Sequence, residues 1–175
     1  MHIDQSESYR RESAPLSVTA KLAISLLVFQ KFCLINRVEG QIIDDFQAHL
    51  WIWLDPDKGK DFDEWEQSRT ELTNFGLGDA ATPELSSIID ASKIDEFQFR
   101  KIVESIVDML WRNFWGACEN EMTTNAFETV LSSCKLEKNP PITPFKFSRF
   151  NDNSGWGSDL TLEDFNYWKN CFKNA

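Results

Sequence analysis

From Leu22 to Phe29 the chain reads LAISLLVF, an apolar run interrupted only by a small hydroxyl at Ser25. A helix through this run has no side suited to water, so it has to be enclosed by other elements. The spacing predicts that helix from Ser17 to about Arg37. Lys21 and the pair Gln30–Lys31 bound the apolar run, which leaves it short of the ~20 residues that span a bilayer. The expectation is a buried helix in a cytoplasmic protein. With 175 residues the chain is long enough to enclose one.

The remaining pattern supplies the wrapping. Residues 1–15 are polar and end at Pro15, which predicts a loose arm, with a single domain from 16 to 175. After Gly40 a second helix is expected from Gln41 to Leu54, with Phe46, Leu50 and Trp53 or Leu54 inward at helical spacing. A third starts at Asp61, places Phe62, Trp65, Leu72 and Phe75 inward, and stops at Gly76. A short helical piece is expected over Pro83–Ala91. The longest helix runs from Ile94 to about Cys118, with Phe97, Ile102, Ile106, Met109, Leu110, Phe114 and Trp115 leaving little polar surface. Another covers roughly Thr123 to Leu136. In NPPITPFKFSRF three prolines forbid regular helix and leave room for a short extended segment. The last helix spans Leu162 to about Phe172, with Phe165, Trp168 and Phe172 on one face. The fold reads as all-α, an irregular bundle of about six to eight helices.

The stretch DPDKGKDFDEWE, Asp55 to Glu66, places acids at positions one, three, seven, nine and twelve, close to the ligand spacing of a calcium loop. Lys60 stands where that loop needs glycine. Helix capping accounts for most of these acids: Asp61 as N-cap, Glu64 in capping-box position, and Asp63 and Glu66 in the first turns. Asp55–Pro56–Asp57 with Gly59 is turn chemistry. A second near-match, Asp152 to Glu163, puts Trp156 at a ligand position. There Thr161 and Asp164 form a capping box, with Leu160 and Phe165 as staple. No metal or other cofactor is expected.

Signatures of catalysis are missing from the sequence: it holds no GxSxG, P-loop, Rossmann glycines or HExxH. His49 lies one turn after Asp45, off the apolar stripe, and reads as half of a surface pair. Cys33, Cys118, Cys134 and Cys171 are scattered. Their spacing does not settle pairing, and core thiols in a reducing compartment are expected. Of seven tryptophans, Trp53, Trp65, Trp111, Trp115 and Trp168 fall on apolar stripes. Trp51 and Trp156 do not, and each is either folded back over the domain or an aromatic anchor for a partner.

A formal charge of -10 argues against nucleic-acid binding. The acids are uneven: 55–71 holds seven against three bases, and 152–164 holds four against none. Two acidic loops on an aromatic-rich domain suit a basic protein partner. The candidate contacts are Asp55, Asp57, Asp63 and Glu66 in one loop, and Asp152, Trp156 and Asp159 in the other.

In layout the chain resembles the helical immunity proteins of bacterial toxin systems, such as contact-dependent growth inhibition. The apolar opening helix, HLWIWLD, DFDEWE, FGLGD and the GWG loop with its Trp168 helix carry the resemblance. It implies a non-catalytic, stoichiometric inhibitor of one cognate toxin, often a nuclease with a basic cleft. The family shares no binding motif, so the resemblance assigns no residue a role. The competing readings are a calcium- or metal-responsive helical module and an enzyme built around His49.

Overall fold

A computed structural model describes residues 5–58 and 61–173. The described residues form an all-α bundle of nine α-helices: α1 (Gln5–Ser13), α2 (Val18–Asn36), α3 (Gln41–Leu54), α4 (Phe62–Gln67), α5 (Glu71–Gly76), α6 (Pro83–Ser92), α7 (Glu96–Phe114), α8 (Asn120–Cys134) and α9 (Leu162–Asn170). Short 3-10 turns at Thr143–Phe145 and Asn153–Gly155 occupy the long connection before α9.

The apolar run behaves as its composition demands. α2 packs against α3, α7, α8 and α9, and every residue from Ala20 to Phe29 is buried. α2 as a whole is long and apolar enough to cross a membrane, more so than the run from Leu22 to Phe29 suggests, yet 72% of its most apolar window lies inside the fold. Phe29 sits at the centre, edge-on to Phe46 of α3 and tilted against Phe99 of α7.

The helix count exceeds the six to eight expected for two reasons. First, the predicted helix from Asp61 to Gly76 is two helices, α4 and α5. Thr70 breaks it: its hydroxyl accepts from Thr73 N–H as the N-cap of α5, a local bond that competes with helix continuation. Second, the N-terminal arm is not loose. Residues 5–13 form α1, and the chain beyond it is fastened to the proline-rich connection. Tyr9 donates to the Pro140 carbonyl at 2.8 Å, Ser17 N–H to Ser148 O at 2.9 Å and Phe150 N–H to Pro15 O at 3.0 Å. Leu16 and Arg149 form an isolated antiparallel bridge, the extended segment expected there. Prolines leave that connection rich in carbonyls without helical partners, and the arm supplies donors for them. Residues 1–4 of the expected arm lie outside the described residues.

Caps set most boundaries. The side chains of Ser17, Asp61, Thr82, Asp95 and Thr161 each accept a backbone N–H three residues on. At α9 the box is reciprocal, because Asp164 also accepts from the Thr161 N–H. Leu160 and Phe165 are both buried beside it, as a hydrophobic staple requires.

One charged side chain lies within this core. Lys21 is fully buried on α2, and its ammonium donates to the Ala14 carbonyl, Asn120 Oδ1 and Thr124 Oγ1 at 2.9–3.0 Å. Three acceptors match its three protons, so it ties the α1–α2 joint to α8 with no carboxylate in direct contact among the described residues. Burial pushes its pKa down to about 8, partly offset by the charge of Glu128.

The sign of the pH effect follows. Between pH about 8 and its usual 10.5 the unfolded chain binds the Lys21 proton and the folded chain does not, so stability rises with pH in that window. Chemical denaturation of the wild type and Lys21→Met should show the wild type gaining about 3 kcal/mol relative to the variant across it. A constant difference between the two proteins over that range would refute the assignment.

Candidate functional site

The two acidic loops are built by different local chemistry. In the first, Asp55 follows α3 and its carboxylate accepts the Asp57 N–H at 2.9 Å, while Asp61 caps α4 through the Glu64 N–H at 3.0 Å. Glu66 is taken by Arg69 at 2.6 Å. Asp57 and Asp63 are exposed, and Asp55 and Glu66 are half-buried. Gly59 and Lys60, the latter the sixth position of the calcium-like pattern, lie outside the described residues. Among the described residues no group of three or more His, Cys, Asp or Glu is placed to hold a metal ion.

The second loop depends on two glycines. Gly155 and Gly157 have φ of +101° and +84°, which favour glycine, and both approach neighbours too closely for a side chain. A Cβ on Gly155 would lie 2.5 Å from the Cys118 Cβ, and one on Gly157 would lie 2.3 Å from the Ser148 hydroxyl. The loop is thus pressed onto the 116–118 turn on one side and the 148 segment on the other. Thr19 holds the Trp156 carbonyl at 2.6 Å. Asp152 and Asp159 are exposed. Asp159 stands past Gly157, next to Ser158, whose hydroxyl reaches the Phe147 carbonyl.

Aromatic rings join these loops. Trp53 of α3 meets Phe62 and Trp65 of α4 and Phe114 of α7 at centroid distances of 6.3, 5.2 and 4.8 Å. Phe62 stacks on Phe114 at 3.8 Å, and Phe114 packs on Trp156 at 5.0 Å. One ring, Phe114, therefore joins the start of α4 to the GWG loop, linking Phe62, the neighbour of Asp63, to Trp156. Sequence periodicity carries no sign of this, because it reports the faces of single helices.

Trp156 is half-buried, folded onto Phe114. Trp51 is buried against Phe165 of α9, so it belongs to the core and the anchor alternative does not apply to it. Trp115 and Phe97 correct the sequence reading in the opposite direction. Both were expected inward, yet they are 77% and 74% exposed. α7 ends at Phe114 and Trp115 takes the non-helical C-cap position, so the stripe stops one residue earlier. Phe97 lies in the first turn, where the core stripe begins only at Phe99. Cys33 and Cys134 are buried thiols as expected, and Cys118 and Cys171 are half-buried.

His49 also departs from expectation. It is buried, not part of a surface pair, and Asp45 instead accepts from Gln41 at 2.7 Å. The imidazole lies flat on Trp65 at 4.3 Å and 5°. Its Nε2 donates to the Trp65 carbonyl at 3.0 Å, while Trp65 Nε1 donates to the His49 carbonyl at 2.9 Å. This reciprocal pair fastens α4 to α3, so a helix of only six residues holds its place. Ser68 Oγ is 3.3 Å from Nε2 but donates to the Trp65 carbonyl, and among the described residues the buried Nδ1 has no hydrogen-bond partner and no carboxylate of the kind that orients a catalytic base. The two-way contact was illegible because α4 alone covers that flank of α3.

Searches of protein-family models, of curated proteins and of solved structures each found no match to this chain.

His49→Ala should lower stability by about 2–4 kcal/mol in denaturant titration, from lost packing and an orphaned Trp65 carbonyl. An effect below ~0.5 kcal/mol would mean that the α3–α4 clasp contributes little. Burial lowers the His49 pKa against the raising effect of the Trp65 carbonyl. The unfolded chain then takes up a proton first as pH falls through about 6.5, and stability should drop with it.

The capping bonds carry a second expectation. Millimolar calcium should leave the melting temperature where magnesium leaves it; a rise of several degrees with calcium alone would indicate a bound ion.

Proposed function

We propose that this chain is a cytoplasmic, non-catalytic immunity-type inhibitor that binds one cognate toxin, a basic nuclease domain of ribonuclease type. It would block the active site or an adjoining surface with acidic loops. The observation that supports this most is the ring bridge through Phe114, which links Phe62, next to Asp63 in the first acidic loop, to Trp156 of the second. Rigid acids around an aromatic centre provide electrostatic steering at the rim and a desolvated anchor at the middle. The formal charge of -10 adds a long-range field of the right sign for a basic cleft.

The arrangement also fits inhibition better than turnover. The one histidine among the described residues is committed to holding α4 through its two-way contact with Trp65. Within the proposed face Glu66 contributes least, since Arg69 already neutralises it.

The test uses the cognate toxin domain, sought among the open reading frames that neighbour this chain's. Reversing Asp55, Asp57 and Asp63 together to Lys, or Asp152 and Asp159 together, should weaken binding by about tenfold or more, chiefly through slower association that falls further as salt rises. These positions leave the caps Asp61 and Asp164 intact, and circular dichroism confirms the fold of each variant. Unchanged affinity in both variants would place the interface elsewhere, and no binding by the wild type would discard the inhibitor reading.

A further inference from the structure

A groove of about 630 Å³ runs between α7 and α8, outside the loops discussed above. Trp115 and Met122 give it apolar walls, and Asp108, Arg112 and Glu119 supply its charges. Trp115 touches Phe62 of the ring bridge at 5.9 Å and nearly perpendicular, so the groove adjoins the proposed face. Large aromatic side chains exposed to this degree are costly to hydrate and characteristic of binding anchors.

The charges of the groove are not equivalent. Arg112 and Asp108 are paired at 3.3 Å, which leaves Glu119 without an ion pair among the described residues. Glu119 is nevertheless held firmly by its backbone. Its N–H donates to Asn113 Oδ1 at 3.0 Å, and its carbonyl accepts from Thr123 Oγ1 at 2.8 Å. Asn113 is itself buried and donates to Met109 O and Thr123 Oγ1. The turn that carries Trp115 and Glu119 is therefore set in advance of any ligand.

An open indole beside an unpaired carboxylate is a receptor for a flat organic cation. Guanidinium meets both demands, because it stacks on aromatic faces and pairs with carboxylate through directed N–H groups, whereas ammonium is more strongly hydrated. We propose that the groove between α7 and α8 receives an arginine side chain of the basic partner protein, with its guanidinium on Trp115 and paired with Glu119. This rests on the inhibitor reading for the identity of the partner as a basic protein, and adds a second contact beside the acidic face.

The experiment titrates the full-length, ¹⁵N-labelled chain with a blocked tetra-arginine peptide and with the matching tetra-citrulline peptide, which keeps the shape and removes the charge. The Trp115 indole N–H and the amides of Glu119 and Met122 should shift saturably with the arginine peptide alone. Trp115→Ala and Glu119→Gln should each weaken that binding by at least about threefold. Shifts confined to 55–63 and 152–156, an equal response to citrulline, or full affinity in both variants would overturn the groove assignment. Any of these leaves the inhibitor reading intact, since that stands or falls on toxin binding. A toxin that fails to bind discards the inhibitor reading, and the peptide titration still judges the groove.

Discussion

A helix that can show no side to water organises this molecule. Burying α2 requires neighbours all round, and α3, α7, α8 and α9 are those neighbours. Each core side chain shielded in this way contributes about 1.5–3 kcal/mol relative to exposure. Lys21 is the exception that shows how complete the enclosure is. Its charge lies where solvent cannot reach, so three oxygen acceptors from two other parts of the chain replace water. Removing those acceptors would leave an uncompensated buried cation, which costs far more than an exposed ion pair gains. α1 and the start of α8 are thereby fixed to α2 by polar bonds, where an apolar contact would have been less particular about position.

That enclosure determines where surface chemistry can occur. α7 packs on α2, α5 and α8, and its C-terminal end meets the loops. Phe114 stands at that end and touches both Phe62 and Trp156. The rings that link the two loops continue the aromatic core toward solvent. α4 is too short to be stable alone, and the His49–Trp65 clasp with the Asp61 cap gives it the fixed orientation that its acids need.

Much of the bundle was legible in the sequence, and the limits have physical causes. The stripes of α3, α7 and α9 and the caps at Asp61 and Thr161 could be read because helical period and capping are local. α1 was missed because it has almost no apolar stripe and is fixed by hydrogen bonds to residues more than a hundred positions away, as at Tyr9 and Pro140. His49 was misplaced, and Trp51 left undecided between core and anchor, for one shared reason. A single helix's periodicity shows its most apolar side, not which other sides a neighbour will cover, and α3 is covered by α4 and α9 as well. Trp115 failed in reverse, since a stripe extrapolated past the helix end no longer predicts direction. The acidic residues themselves were visible, but the link between their loops runs through Phe114, a contact that only the tertiary structure supplies.

The acids divide by what the fold already does with them. Asp61, Asp95 and Asp164 cap helices, while Glu12, Glu66, Glu96 and Asp108 are paired with Lys146, Arg69, Arg100 and Arg112. These earn a structural explanation. Asp57, Asp63, Asp152, Asp159 and Glu119 have neither cap nor ion pair among the described residues. On a chain of net charge -10 such groups repel one another, an effect partly offset for Asp63 in the first turn of α4 and Glu119 at the start of α8 by the helix dipole. A cationic partner relieves that repulsion at the same time as it forms contacts, and the relief is larger where the acids stand beside low-dielectric rings than where they are surrounded by water. Asp63 directly follows Phe62 of the ring bridge, and Glu119 lines the same groove as Trp115, so at these two positions charge stands where the core's aromatic rings reach the surface.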